Sequence, residues 1–199
     1  MSIELLRLAT RPDHQQMEDR LDIRAQCATP HSYRRLLERF YGFYRPYETA
    51  LKSTEGFLPP LIDLAARTRL PSLASDLRAM GLSEDQCSRL PECPDAPRPK
   101  TRAEALGCLY VTEGSTLGGQ IIRRMIQETY GTDALPTAFF DGYGAQTGRR
   151  WRDLCAAVDG ADLSGDDRDA MTSAARRVFR TLETWLCAEP SDKNQKEDE

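Results

Sequence analysis

Two short segments of this chain hold residues whose types and spacing could do chemistry. The first contains His14, one of two histidines in 199 residues. Met17 and Leu21 follow it at helical spacing, so the imidazole shares a helix face with apolar side chains. Glu18, one turn later, could accept a proton from one ring nitrogen and leave the other nitrogen to bind a metal. A packed core histidine is the alternative interpretation.

The second segment is LYVTEGSTLGGQ, from Leu109 to Gln120, which places three glycines in a stretch otherwise typical of helix. A glycine inside a helix is unfavourable by ~1 kcal/mol relative to alanine. The presence of three glycines in this segment therefore requires a structural explanation: Gly114, Gly118 and Gly119. They either permit a bend or a close helix crossing, or they let a flat ligand lie against bare backbone.

A metal bound at His14 would need ligands from outside the protein. No second histidine and no paired cysteines lie at ligand spacing, so a tetrahedral site built from side chains alone is excluded. The six cysteines contain no CxxC pair and are typical of buried or incidental thiols in a reducing compartment. A redox pair of Cys87 and Cys93, which flank a loop, is the less favoured interpretation.

Together the two segments resemble the biliverdin-producing heme oxygenases, most closely the branch associated with bacterial phytochromes. The sequence LRLATRPDHQQME, beginning at Leu6, is similar to the proximal helix of that family, and YVTEGSTLGGQ is similar to its distal helix. Two later stretches, FFDGYGAQTGRRWRDL from residue 139 and FRTLETWL from residue 179, support the resemblance. The matches extend to Leu186 and so span nearly the whole chain.

The resemblance implies an all-α, multi-helix single domain with heme held between a proximal helix and a kinked, glycine-rich distal helix. His14 would be the axial ligand of the heme iron, and Glu18 would support it. Four residues would line the distal side, where the reaction takes place: Gly114, Ser115, Gly118 and Gly119. Animal-type members of the family carry aspartate where this chain has Ser115, so its proton-delivery route is open, although the phytochrome-linked branch also has serine there.

Three more residues are candidates for the rest of the heme site. Arg7 and Arg150 would pair with the heme propionates, because a planar guanidinium matches a carboxylate. Exposed arginines on helices are ordinary, so a purely solvated role is the alternative for both. Phe179 would lie at a heme edge or pack in the core.

The implied reaction uses heme as both substrate and cofactor. With O₂ and external electrons, the family converts heme to biliverdin, CO and ferrous iron, and phytochromes of this kind use the IXα isomer. We expect the electrons to come from a separate reductase, a ferredoxin or another reductant, because the chain lacks a nucleotide-binding fingerprint. A bacteriophytochrome would be the partner that accepts the biliverdin.

Two other functions remain open at this point. A thiamin-degrading hydrolase of the same helical architecture would need a nucleophilic cysteine with carboxylate partners, for which Cys108 near Glu104 is the candidate. A non-catalytic heme or bilin carrier is the second possibility.

Composition narrows the functional class further. The formal net charge of −4 argues against nucleic-acid binding, which usually requires a basic face. No stretch approaches ~20 apolar residues, and the first residues lack a charged region followed by an apolar run. We therefore expect a cytoplasmic protein that neither spans a membrane nor is secreted.

Periodicity near 3.6 residues recurs along the chain, without sustained period-2 alternation, which predicts an all-α domain over residues 1–188. The tail, residues 189–199, is polar and predicted to be disordered. Helices are predicted over residues 2–23, from Pro30 behind a Thr29 cap, and over 60–67, 71–80, 101–130, 147–158 and 164–188. Pro12 should bend the first helix or mark a restart capped by Thr10. The proline-rich stretch 88–100 should be an extended connector.

Overall fold

The computed structural model describes residues 3–188, so the predicted disorder of residues 189–199 lies outside the described part of the chain. Within that range the protein is helical and contains no strand, which confirms the predicted all-α class. The elements are α1 (Ile3–Arg20), α2 (Ile23–Gln26), α3 (Pro30–Lys52), α4 (Leu70–Ala79), α5 (Glu84–Ser88), α6 (Arg102–Tyr130), α7 (Thr147–Asp159) and α8 (Gly165–Cys187). Three single-turn 3₁₀ helices lie at Glu55–Phe57, Ala65–Arg67 and Gly144–Gln146.

Helix α6 runs through the middle of the domain and packs along α8, while α1 packs on the same α8. The Thr101 hydroxyl caps α6 by accepting from the Glu104 backbone N–H at 3.2 Å. The helix ends at Gly131, whose φ of 98° suits a residue without a Cβ. α6 is hydrogen-bonded as α-helix through all three glycines of the predicted segment. The bend that we expected there stays a prediction.

The first helix differs from the expected pattern at Pro12. α1 is continuous through the proline, and the Thr10 hydroxyl donates to the Leu6 carbonyl at 2.9 Å instead of capping a restart. The chain then breaks after Arg20, and residues 23–26 form the separate α2. The single long helix predicted to reach residue 23 is therefore wrong at its carboxyl end, where Asp22 starts a new helix by accepting from the Ala25 N–H at 3.0 Å.

The helix predicted over residues 60–67 is also wrong. Only the 3₁₀ turn Ala65–Arg67 forms there, following Pro59 and Pro60, and the Asp63 carboxylate accepts from the Ala66 N–H at 3.1 Å. Two consecutive prolines and a side-chain hydrogen bond to the backbone favour a turn over a helix. The connector predicted over residues 88–100 is confirmed beyond Ser88, where α5 ends.

A close helix crossing occurs in α6, but before the glycine segment. A Cβ added at Gly107 would lie 2.1 Å from the Met171 carbonyl oxygen of α8 and 3.2 Å from the Ala174 Cβ. Glycine is therefore required there for the two helix backbones to approach. Within residues 3–188, no helix is both long and apolar enough to cross a membrane.

Candidate functional site

Helices α1 and α6, which carry the two predicted segments, meet at a buried contact between Thr10 and Tyr110. The Thr10 hydroxyl donates to the Leu6 carbonyl of its own helix and lies close enough to the Tyr110 hydroxyl to oppose the rise that burial causes in its pKa, and Thr10 is 1% exposed. The ring centroid of Tyr110 lies 5.7 Å from that of Trp151 on α7. His14 is one helical turn beyond Thr10 on α1, and Gly114 is one turn beyond Tyr110 on α6. The contact between α1 and α6 thus lies one turn before His14 on α1 and one turn before Gly114 on α6.

His14 is not a packed core residue. Its side chain is 50% exposed, and its Nε2 lies 3.4 Å from the Oε1 of Glu18, which is 55% exposed. At that distance the contact is a weak hydrogen bond at most. One face of the imidazole lies against Phe179 of α8, with ring centroids 5.3 Å apart. Phe179 itself is 6% exposed, so it packs in the core and also supports the histidine ring.

The three glycines of the distal segment have different surroundings. A Cβ added at Gly118 would meet no atom within 4 Å. At Gly114 it would lie 3.4 Å from the Trp151 ring, an ordinary contact, and at Gly119 it would lie 2.8 Å from the Phe140 carbonyl oxygen. Close packing therefore explains the absence of a side chain at Gly119, whereas nothing in the protein occupies the space beside Gly118.

Apolar side chains are exposed next to Gly118. Leu117 is 39% exposed, and Ile121, one turn on, is 72% exposed. An exposed leucine alone is ordinary, but exposed apolar groups beside an open glycine, on a helix that contacts the one carrying a half-exposed histidine, indicate an apolar binding surface. These features fit a flat apolar disc with a metal at its centre. The residues present therefore fit a heme.

Ser115 lies on the exposed side of α6, and its Oγ donates to the Thr112 carbonyl oxygen at 2.8 Å. The same hydroxyl lies near that of Tyr44, a buried residue of α3, and partly opposes the rise in the pKa of Tyr44. Burial raises the pKa of Tyr44 to about 12, so its hydroxyl keeps its proton at neutral pH. Ser115 thus connects the outer surface of α6 to the polar interior between α3 and α6.

That interior contains a cavity of about 20 Å³, enough for about one water molecule. Its polar lining comes from α3, α6 and the segment 67–69: Tyr44, Tyr47, Glu48, Lys52, Arg67, Thr68, Arg69, Thr112 and Glu113. The Tyr47 hydroxyl lies 3.2 Å from the Thr112 hydroxyl, in hydrogen-bonding range. A polar network therefore lies directly beneath the distal helix.

Two buried carboxylates anchor this network. Glu113 is 3% exposed, forms an ion pair with Arg67 and accepts from the Tyr143 hydroxyl at 2.6 Å. Burial raises the pKa of Glu113, and Arg67 opposes that effect. Burial also raises the pKa of Glu48 to about 6, although its carboxylate accepts from the backbone N–H groups of Arg69 and Leu70.

The two candidate propionate partners lie in different environments. Arg7 is 69% exposed and pairs with Glu4 at 2.8 Å. Burial raises the pKa of Tyr110, and the nearby charge of Arg7 opposes that rise, which places the arginine near the junction of α1 and α6. Arg150 instead donates to the Ala66 carbonyl and lies 4.3 Å over the Tyr143 ring. The structure favours a structural role for Arg150.

Cys108, the candidate nucleophile of a hydrolase, is unsuited to that role. It is 1% exposed, and burial raises its pKa to about 12. A nucleophilic cysteine needs a lowered pKa and access to substrate. All six cysteines are free thiols; Cys87 and Cys93 are both buried, and burial raises the pKa of each.

Sequence reasoning missed several residues around this site. Ile121 could have been found, because it is apolar at helical spacing from Gly118. Nothing local in the sequence indicates that Tyr44 lies near Ser115. Asp13 and Trp151 carry no local signal, since their partners are far away in sequence.

Comparisons with known proteins identify the family of this chain. The heme oxygenase family model matches residues 2–188. A heme oxygenase from Xanthomonas campestris is 31% identical over 123 residues, which are 62% of this chain and 70% of that protein. Heme oxygenase PigA from Pseudomonas aeruginosa is 26% identical over 181 residues, covering 87% and 85% of the two chains.

Solved structures share the fold. A heme oxygenase from Leptospira interrogans superposes with a TM-score of 0.76 at 18% identity, covering 94% of this chain and 99% of that one. Heme oxygenase-1 from the cyanobacterium Synechocystis, solved in complex with heme, gives a TM-score of 0.75 at 16% identity and covers 92% of this chain and 89% of its own.

Proposed function

Because this chain belongs to the heme oxygenase family, we propose that it cleaves heme to biliverdin IXα with release of CO and ferrous iron. The protein is a heme-degrading enzyme. When bound, heme supplies both the iron that reacts with O₂ and the ring that is oxidised. The protein residues must hold that ring, bind its iron, exclude bulk water and deliver protons.

One observation carries the proposal. Half-exposed His14 and open Gly118 lie on the two helices that meet at the Thr10–Tyr110 contact. A heme placed between α1 and α6 would find a ligand on one helix and bare backbone on the other. Burying several hundred Å² of porphyrin at ~25 cal/mol/Å² contributes on the order of 10 kcal/mol gross, so packing dominates affinity and the histidine fixes position.

His14 is our candidate for the axial ligand. A neutral imidazole binds iron through one nitrogen and is oriented by a hydrogen bond at the other. Glu18, one turn away, supports that role. The half-exposed imidazole can reach a ligand without leaving a hole in the core.

Protons would reach the distal side through Ser115 and the backbone around it. The serine hydroxyl donates to Thr112 and lies near Tyr44, so its free lone pairs can hold one bridging water in a fixed position. The Tyr44 hydroxyl keeps its proton and can act as the donor behind it. With no side chain beside it, the backbone at Gly118 would leave a helix carbonyl oxygen open to accept a hydrogen bond from the same water.

Arg7 is our candidate for a propionate partner. Its charge lies near the junction of α1 and α6, and its present partner, Glu4, is exposed and weakly bound. Arg150 would have to leave the Ala66 carbonyl to take that role.

The finer parts of the proposal rest on the resemblance to the phytochrome-linked branch. The segment YVTEGSTLGGQ and the stretch from residue 139 support it. We propose that a separate reductase or ferredoxin supplies the electrons and that the biliverdin becomes the chromophore of a bacteriophytochrome.

The test is an optical titration of the apo protein with hemin, followed by reductant and air. We expect a Soret band that then collapses to the spectrum of biliverdin. A stable Soret band under turnover conditions would favour a heme or bilin carrier. Absence of a Soret band would favour a hydrolase.

A further inference from the structure

Two buried carboxylates join α1 to α8 on either side of His14. Asp13, immediately before the histidine, is 7% exposed. Its two oxygens accept from the Nε atoms of Arg176 at 2.7 Å and Arg180 at 2.8 Å. Each carboxylate oxygen therefore has its own cation, and both cations come from one face of α8.

Glu183 is the reciprocal group on α8. It is 4% exposed and accepts from Gln16 Nε2, at 3.0 Å to each oxygen, and from Arg20 at 2.5 Å. The acid thus lies on α1 in one cluster and on α8 in the other. Phe179, which contacts the His14 ring, lies between Arg176 and Arg180 along α8.

This arrangement favours the observed register of α1 on α8. Arg180 and Glu183 are three residues apart, about one helical turn. If α1 moved by one turn toward the carboxyl end of α8, Asp13 would face Glu183, and two buried carboxylates would be brought together. Burying a carboxylate without a cation is costly, so the displaced register is strongly disfavoured.

We infer that Asp13, through Arg176 and Arg180, is a positioning residue that sets the height and direction from which His14 meets the heme iron. The inference rests on the proposed function, because it concerns the histidine as an axial ligand. Asp13 touches neither heme nor O₂ in this account. Its effect passes through the register of α1.

The test compares Asp13→Asn with Asp19→Asn. Both substitutions remove one carboxylate from α1, but Asp19 is exposed and bonded to Gln15 of its own helix. In the apo protein, amide hydrogen exchange over residues 13–20 should speed up in D13N and stay unchanged in D19N. In the ferrous heme complex, resonance Raman should show a shifted or broadened iron–histidine stretching band in D13N only, with heme dissociation about tenfold faster.

A conservative change supplies the second measurement. Arg180→Gln removes one of the two cations, and Arg180 is 61% exposed, so this variant should fold even if D13N does not. We expect it to shift the iron–histidine band in the same direction but less far, and Arg180→Lys should restore part of the wild-type band.

The outcomes separate the inference from the proposed function. A wild-type iron–histidine band that is the same in D13N and R180Q would overturn the inference and leave the function intact. A wild-type protein without that band, or with a band that persists in His14→Ala, would overturn the ligand assignment and the inference together.

Discussion

At the scale of single residues, His14 best separates two interpretations: an iron ligand and a packed core residue. Its side chain is half exposed and packs against the Phe179 ring in a tilted contact. We expect His14→Ala to leave the unfolding free energy of the apo protein within about 1 kcal/mol of wild type, since little packing is lost, and to abolish the native axial bond. Thermal unfolding beside a hemin titration measures both.

A core histidine would behave differently. A loss of apo stability of ~3 kcal/mol or more, the size seen for large-to-small core changes, would show that His14 is a packing residue. Gln15→Ala, one residue along on the exposed side of α1, is the matched control.

Ser115 contributes a neutral hydroxyl that donates to the Thr112 carbonyl and lies near Tyr44. We expect Ser115→Ala to slow biliverdin formation within roughly tenfold, equivalent to ~1.4 kcal/mol, the scale of one neutral hydrogen bond. Single-turnover spectra of the heme complex give the rate. Complete loss of biliverdin in this variant would make Ser115 the essential donor and would exclude a water held mainly by the backbone.

Glu48 predicts a pH dependence of stability. Its pKa is raised to about 6 by burial, from 4.5, so the folded protein binds its proton more tightly than the unfolded chain does. Between those two values the contribution of Glu48 to stability therefore falls as pH rises. Because glutamine does not titrate, Glu48→Gln should lack this decline, which lowers the free energy of unfolding by about 2 kcal/mol at pH 7. The glutamine carbonyl can still accept from Arg69.

Denaturant unfolding at pH 4.5, 5.5 and 7 would measure this effect in wild type and variant. Glu55→Gln, which changes an exposed glutamate shortly after the end of α3, is the control. Equal pH profiles for wild type and Glu48→Gln would contradict the buried, proton-binding carboxylate described here.

At the scale of elements, the glycines of α6 separate packing from binding. Gly118→Ala should stabilise the apo protein by ~0.5–1 kcal/mol, because helix interiors favour alanine and nothing occupies the space beside Gly118. Gly107→Ala should destabilise it by ~1–3 kcal/mol, since the Met171 carbonyl would be displaced.

Gly118→Phe should weaken heme binding, while the helix content measured by circular dichroism should stay unchanged. Unchanged turnover in that variant would show that Gly118 does not face the macrocycle.

The helices predicted most accurately from the sequence have capping residues that mark where they begin or end. Thr29 caps α3 by accepting from the Ser32 N–H at 3.0 Å, with Pro30 in the first turn, and Thr101 and Gly131 mark both ends of α6. The region from residue 60 to 67 was predicted as helix because its apolar spacing is helical. Arg67 instead reaches Glu113, 46 positions later, and that buried ion pair holds the segment as a turn. Tertiary partners of this kind have no local signal.

At the scale of the whole molecule, some features of the candidate site could be predicted from the sequence and others could not. His14 and the glycines stood out as residue types. Their proximity depends on the Thr10–Tyr110 contact between residues 100 positions apart, and the register of α1 depends on arginines more than 160 positions from Asp13. Only packing of α1, α6 and α8 in one domain creates these contacts.

The central claim is that this whole arrangement degrades heme, and product stoichiometry tests it most directly. The heme complex, supplied with reductant and O₂, should release CO and biliverdin in equal amounts as the Soret band disappears, and His14→Ala should fall well below wild type in both. CO trapped by a ferrous globin and biliverdin separated by chromatography give the two quantities. Loss of heme without CO, or with CO far below the heme consumed, would contradict the account.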